Sequence, residues 1–176
     1  ASVTQDITVT LTGTNDAPTL DVLASDLAGG VTERPDGAPD ENTATLTDSG
    51  SLSFADVDVA DSHVPSIAAS VHDGAGNLVA APLGSLSLDS LDPIAKTVGW
   101  NYSVPAGLLD GLAAGETLTQ VYSVSITDNH GASVTQDITV TLTGTNDAPV
   151  LTADTDTARE RGGLANGVAG FDATGD

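Results

Sequence analysis

The chain has 176 residues, and its 25 acidic and four basic side chains (Lys and Arg) give a net charge of −21. This charge disfavours nucleic acids and anionic membranes as partners and favours cations. The chain has no cysteine, which excludes disulfides, thiolate metal sites and cysteine nucleophiles, and no apolar run approaches the roughly 20 residues of a membrane-spanning helix.

The first 18 residues, ASVTQDITVTLTGTNDAP, recur without a change as residues 132–149. The two copies begin 131 residues apart, a period that matches a whole domain rather than a short solenoid repeat. We therefore predict that residues 1–18 are the last strand and linker of a preceding repeat and that residues 19–149 form a complete module. Residues 150–176 are then expected to begin the next module and to be poorly ordered.

Along the complete module, apolar and polar residues alternate with the period of half-buried strands. The apolar positions predicted to share an inward face are, in chain order, Ile67, Ala69 and Val71; Leu86 and Leu88; Val98, Trp100, Tyr102 and Val104; Tyr122, Val124 and Ile126; and Val134, Ile138, Val140 and Leu142. About seven short antiparallel strands in a module of this size predict an all-β fold, a β-sandwich.

The segments between these strands carry turn signals and one helical pattern. Turns are predicted at Asp36 and Gly37, at Ser49 and Gly50, at residues 73–77 and, as a hairpin loop, at residues 128–131. Residues 106–114 place three leucines at helical spacing, which predicts about two turns of helix linking two strands.

A calcium site is predicted from the oxygen-bearing side chains at the two linkers. Asn15 and Asp16 in residues 13–18, and Asn146 and Asp147 in residues 144–149, carry the hard oxygen donors that Ca²⁺ takes in sets of about six to eight. Further ligands are expected from Glu33 and from the segment 54–61, which contains Asp56, Asp58 and Asp61. On an extended strand Asp56 and Asp58 would lie about 7 Å apart, so they share one ion only if the backbone turns there, or else serve two ions.

Three segments of the sequence resemble a known family. The ending GTNDAP, the segment FADVDVADSH and the run from Leu108 to Pro149 are similar to the VCBS repeats of giant Gram-negative RTX adhesins, over residues 46–149 and 1–18. The resemblance implies a cadherin-like or Ig-like β-sandwich, repeated between the cell anchor and the ligand-binding tip of a biofilm adhesin. It also implies calcium-stiffened junctions between neighbouring repeats, type I secretion and an extracellular location at the bacterial cell surface.

The same resemblance implies specific calcium ligands. In similar cadherin-type junctions, the linker, a Glu near the start of the module and an Asp-x-Asp share the ions. Carried over to this sequence, the first junction uses Asn15, Asp16, Glu33, Asp56 and Asp58, and the second uses Asn146 and Asp147. Residues 159–167 are similar to the opening of another adhesin repeat type, which implies that Glu160 takes at the second junction the part that Glu33 takes at the first.

Three other interpretations remain open. The first is an enzyme, which we do not expect, because His63, His72 and His130 are the only side chains that titrate near neutral pH and none stands in a pattern typical of a catalytic triad. The second is an adhesin module that binds a sugar or protein, which would need exposed aromatic side chains. The third is general adaptation to salt, in which the carboxylates form no specific site.

The duplicated strand gives a last expectation. Residues 1–11 are chemically the same strand as residues 132–142 but have no sheet of their own. We predict that they pair with an exposed edge, for example of a neighbouring molecule, or exchange with the C-terminal copy.

Overall fold

The computed structural model describes residues 1–148. The expectations for Glu160, for residues 150–176 and for the end of the complete module at Pro149 lie outside the described residues. Within residues 1–148, no helix is long and apolar enough to cross a membrane.

The described residues form two four-stranded β-sheets, which confirms the predicted all-β sandwich with eight strands instead of about seven. The strands are β1 (Thr19–Asp21), β2 (Ala28–Thr32), β3 (Thr45–Ala55), β4 (His63–His72), β5 (Ser85–Leu88), β6 (Thr97–Pro105), β7 (Thr117–Asp128) and β8 (Ser133–Thr143). One sheet has the order β1-β3-β6-β5 and is antiparallel throughout. The other has the order β2-β8-β7-β4, in which only the β2–β8 pair is parallel.

The core lies between the two sheets and consists of the inward faces that the alternating pattern predicts. Every apolar side chain assigned to the inward faces of β6 and β7 is buried, as are Ile138, Val140 and Leu142 on β8. Since successive residues of a strand point to opposite faces, the polar residues between them lie on the outer surface. The strand faces read from the sequence are therefore confirmed for these three strands.

Trp100 lies at the centre of this core, and its ring accounts for the presence of glycine at two neighbouring positions. Its ring is completely buried, and its Nε1–H donates a hydrogen bond to the carbonyl oxygen of Asp26 at 2.7 Å. A Cβ atom at Gly50 would lie 2.6 Å from the ring, and one at Gly29 would lie 2.9 Å from it. The turn predicted at Ser49 and Gly50 is wrong, because both residues lie inside β3 and Gly50 makes room for the indole.

Two other local predictions are also wrong. The two-turn helix expected over residues 106–114 is reduced to a single 3₁₀ turn, Ala106–Leu108, followed by further tight turns. Gly107 and Gly111 disfavour a continuous helix here, because glycine loses the most backbone entropy on becoming helical. On β4, the register with β7 shifts between Ile67 and Val71, so that Ala69 is exposed instead of facing the core.

Residues 1–11 have the sequence of β8 but form no strand. In β8, the side chains of Ile138, Val140 and Leu142 are completely buried. Their counterparts Ile7, Val9 and Leu11 are between 75 % and 92 % exposed. The same sequence is therefore part of a sheet in one copy and leaves its apolar face uncovered in the other.

Candidate metal centre

One end of the sandwich brings together the acidic residues that follow β3 and the aspartate that ends β7. We call this end the N-terminal pole and define it by Asp56, Asp58, Asp61 and Asp128, together with the linker of residues 13–18. β3 ends at Ala55 and β4 begins at His63, so the loop between them crosses the pole. The hairpin between β7 and β8 reaches the same end, and its loop at residues 128–131 is confirmed.

Three carboxylates of the pole form a compact cluster. Asp56, Asp61 and Asp128 each place an oxygen within 4.8 Å of the other two. Because Ca²⁺ binds oxygens at about 2.3–2.6 Å, oxygens up to about 5 Å apart can bind one ion from opposite sides. The cluster therefore fits a calcium ion in spacing and in donor chemistry, and it supplies three of the six to eight ligands that such an ion takes (roughly).

Hydrogen bonds fix the orientation of Asp128. Its Oδ1 accepts from the backbone N–H groups of His130 at 2.8 Å and Ala132 at 2.9 Å. Its Oδ2 accepts from the side-chain amide of Asn15 at 3.0 Å, which joins the linker to the pole. The bond from Asn15, with the backbone bonds, lowers the pKa of Asp128 below its usual value despite the opposing effect of burial.

Asp56 is held by a second set of donors. Its Oδ1 accepts from the N–H of Asp58 at 2.9 Å, and its Oδ2 lies 2.8 Å from Nε2 of His63, with both side chains buried. Burial makes the largest single contribution and raises the pKa of Asp56, but the hydrogen bonds from His63 and Asp58 and the charge of His63 together lower it below its usual value. Asp56 is therefore held as a carboxylate at neutral pH.

Asp58 has a different role from Asp56, although the two were predicted as one Asp-x-Asp pair. The backbone turns at this point, since the N–H of Asp61 donates to the carbonyl of Asp58 at 2.9 Å. Asp58 Oδ2 accepts from the N–H of Asp16 at 2.7 Å and so binds the linker instead of joining the three-carboxylate cluster. Beside it, residues 13–15, 57–61 and His130 line an open cleft of about 560 Å³.

The structure also places Asp128 in the cluster, a residue that the sequence interpretation missed. Asp128 is 67 residues beyond Asp61 in the chain and was assigned only to a hairpin loop. The available signal was its position: a strand ends there, and β8 leads directly to the next linker. His130, in the same hairpin, places Nδ1 3.2 Å from the carboxylate of Asp61.

Glu33 lies at the opposite end of the sandwich, which we call the C-terminal pole and define by Glu33, Asp36 and the linker of residues 144–148. This differs from the grouping with Asn15 and Asp16, because β2 runs parallel to β8 and both end at this pole. Glu33 is 97 % buried, as its relative exposure is 3 %. Its Oε2 accepts from the N–H of Thr145 at 2.6 Å, whereas its Oε1 has no hydrogen-bond partner among the described residues.

The remaining predicted residues, Asn146 and Asp147, are exposed at the C-terminal pole. The side-chain amide of Asn146 donates to the carbonyl of Asp147 at 3.3 Å. On either side of them, Thr145 is bonded to Glu33 and the N–H of Ala148 donates to Asp36 Oδ2 at 3.0 Å. The predicted site residues are thus divided between two poles, with Asn15, Asp16, Asp56, Asp58 and Asp61 at one and Glu33, Asn146 and Asp147 at the other.

The lowered pKa values of Asp56 and Asp128 predict that the fold loses stability in acid. Because both groups bind protons more weakly in the folded state than in the unfolded chain, their stabilisation is present above pH about 4 and is lost as the pH falls through their folded pKa values. Urea unfolding in EDTA between pH 7 and pH 2.5 measures this loss. Asp128→Asn should flatten the dependence, and an identical slope in the variant would contradict the assignment.

Comparisons with known proteins give only distant likenesses. No family model matches the chain, and no curated protein sequence matches it. Among solved structures, it is similar to AggA, the major subunit of aggregative adherence fimbriae type I from Escherichia coli, with 12 % identity and a TM-score of 0.42 over 77 % of this chain and 100 % of that one. It is also similar to the CooA pilin subunit of enterotoxigenic E. coli, with 12 % identity and a TM-score of 0.43 over 76 % and 100 %. The PapD-like domain 7 of human CEP192 gives 12 % identity and 0.39 over 83 % and 97 %.

Proposed function

We propose that this chain is a structural extender module of a bacterial surface adhesin, repeated in tandem outside the cell and stiffened by calcium at the junctions between modules. The observation that carries the proposal is the duplicated linker. One copy, residues 13–18, contacts the N-terminal pole, and the other, residues 144–148, leaves the C-terminal pole. A module with the same linker at both ends can be joined to further copies end to end.

The geometry of the N-terminal pole supports calcium as the ion. Asp56, Asp61 and Asp128 would hold it, and the linker residue Asn15 already contacts Asp128. A bound cation would supply positive charge between carboxylates that otherwise repel each other. Since Asn15 belongs to the linker and Asp128 to the module, binding at this place would restrict the motion of one relative to the other.

The C-terminal pole supports the proposal through Glu33. A buried carboxylate oxygen without a hydrogen-bond donor is costly, because the charge has lost its water without gaining a partner. A cation at the junction would satisfy Oε1, with Asn146 and Asp147 as the neighbouring oxygen donors. This would place ligands from both poles at each junction of a tandem chain.

The distribution of aromatic residues favours an extender over a binding module. Sugar sites usually present exposed aromatic rings, but Phe54, Trp100, Tyr102 and Tyr122 are all buried. These are the only aromatic residues within residues 1–148. We therefore propose neighbouring modules of the same polypeptide as the partners of this chain.

Residues 1–11 cannot replace β8 of their own module. Asp16 is fixed at the N-terminal pole by Asp58, and four residue steps from Asp16 back to Thr12 span at most about 14 Å. The position that Thr12 would take, that of Thr143, lies at the other end of an 11-residue strand, about 35 Å away. Residues 1–11 can therefore take the place of β8 only in another module.

Removal of residues 1–12 should change the oligomeric state of the chain. If residues 1–11 exchange with β8 of a second molecule, the full chain should elute partly as a dimer at high protein concentration, because their apolar face is then covered. A chain that starts at residue 13 should elute as a monomer under the same conditions. Size-exclusion chromatography with light scattering measures both, and equal monomeric masses would rule out strand exchange between free molecules.

A two-module protein tests the proposed function directly. Residues 13–148 followed by a second copy of residues 18–148 reproduce the natural linker between two complete modules and leave out the segment expected to cause dimers. X-ray scattering in millimolar Ca²⁺ should give the maximum dimension of two modules end to end, about 80 Å from strands of 12 residues, and a smaller radius of gyration in EDTA. Identical scattering in Ca²⁺, EDTA and NaCl of matched ionic strength would contradict calcium stiffening.

A further inference from the structure

The duplicated linker is observed from both sides, because one copy precedes a module and the other follows it. Residues 13–18 approach the N-terminal pole, and residues 144–148 leave the C-terminal pole. The sequence GTNDA is the same in both. The contacts of each linker position can therefore be compared directly between the two environments.

At the C-terminal pole, the first, second and fifth positions of the linker are bound. The N–H of Gly144 donates to the carbonyl of Glu116 at 2.9 Å, that of Thr145 to Glu33 at 2.6 Å, and that of Ala148 to Asp36 at 3.0 Å. Gly144 is also tightly enclosed, since a Cβ atom there would lie 2.5 Å from the carbonyl oxygen of Leu112.

At the N-terminal pole, the third and fourth positions are hydrogen-bonded and the sixth is buried. Asn15 donates to Asp128 at 3.0 Å, the N–H of Asp16 donates to Asp58 at 2.7 Å, and Pro18 is buried. Gly13 has open space around it, whereas the equivalent Gly144 is enclosed. The first position thus has a steric need for glycine only where a C-terminal pole is present.

Among the five linker positions that the structure describes in both copies, the two sets of contacts share none. We propose that, between two consecutive copies of this module, both sets form at once, so that the linker is a hydrogen-bonded clasp held by the module before it and the module after it. The inference rests on the tandem arrangement proposed above, but it does not depend on calcium. Each acceptor in the clasp is a carboxylate or a carbonyl oxygen, and most of the donors are backbone N–H groups.

The clasp brings the two poles into contact. From the end of one module's last strand, at the position of Thr12, to Asn15 on the next module's pole is three residue steps, at most about 11 Å. Val57 and Val59 are 74 % and 89 % exposed at the N-terminal pole, and Leu108 is half exposed at the C-terminal pole. Contact with a second copy of the module would cover these apolar side chains.

Distance measurements on the two-module protein, in EDTA, test the clasp without calcium. Because the chain has no cysteine, Ser66→Cys in each copy gives two spin labels, one on each module, at an exposed position of β4. Pulsed electron paramagnetic resonance should show a single narrow distance peak. Asp36→Ala in the first copy and Asp58→Ala in the second should each abolish the narrow peak, whereas Asp137→Ala in the first copy, an exposed carboxylate in the middle of β8 and away from both poles, should leave it unchanged.

Asp36→Asn keeps an acceptor oxygen and should restore the narrow peak, which separates a lost hydrogen bond from a damaged module. A broad distribution in EDTA, or a narrow one that either alanine variant leaves unchanged, would overturn the clasp. A peak that is broad in EDTA and narrow only in Ca²⁺ would leave calcium stiffening intact and refute the clasp. A peak that is narrow in both EDTA and Ca²⁺, with no calcium effect on scattering, would support the clasp and refute calcium stiffening.

Discussion

Trp100→Ala should lower the free energy of unfolding by about 3–5 kcal/mol, the range typical of removing a large aromatic side chain from a core. The ring is completely buried between the two sheets, so its loss leaves a cavity that the strands can only partly close. The carbonyl of Asp26 also loses the indole N–H donor. Urea denaturation of the full chain in EDTA measures the change.

Gly50→Ala tests the same contact from the opposite side. The added methyl group would lie 2.6 Å from the indole, which costs about 1–3 kcal/mol for overpacking. Gly111→Ala is the matched control, because no atom lies within 4 Å of a Cβ there. If the clash is the cause, Gly50→Ala should cost much less in the Trp100→Ala background, and an equal cost in both backgrounds would exclude it.

The strand faces could be predicted from the sequence because alternation needs only local information. In β6, every second residue from Val98 to Val104 is apolar, and all four are buried. The features that were mispredicted depend on distant contacts. Gly50 was predicted to be a turn residue. The side chain that requires a glycine there, the ring of Trp100, lies 50 residues away in the chain and could not be recognised from the local sequence.

In the candidate site, too, the residues that are close in sequence were predicted and those brought together by distant contacts were not. Asp56, Asp58 and Asp61 were identified as a group because they are neighbours in the sequence, and the linker residues because they are duplicated. Asp128 was missed because only the pairing of β4 with β7, in which His63 lies opposite Asp128, brings it to the same pole. The pole at which Glu33 lies depends on the parallel pairing of β2 with β8, which no local pattern reveals.

Millimolar Ca²⁺ should raise the melting temperature of this chain, and the carboxylate cluster should account for the increase. A ligand that binds only the folded state adds about 2.7 kcal/mol at 100 times its dissociation constant, which corresponds to roughly 5–10 °C for a chain of this size. Asp56→Asn and Asp128→Asn should each abolish most of the shift, because each removes a charged oxygen from the cluster. Calorimetry in EDTA, in Ca²⁺, in Mg²⁺ and in NaCl of matched ionic strength measures it.

Asp137→Asn is the matched control for this experiment, since it removes the same charge from an exposed position in the middle of β8, away from both poles. If the carboxylates acted only through their total charge, Asp137→Asn and Asp128→Asn would reduce the shift equally, and NaCl would stabilise the chain as much as Ca²⁺. Glu33→Gln separates the two poles, because it removes a charge only at the C-terminal one. A calcium shift that survives Glu33→Gln but not Asp128→Asn assigns the ion to the N-terminal pole, where the linker that precedes the module contacts Asp128.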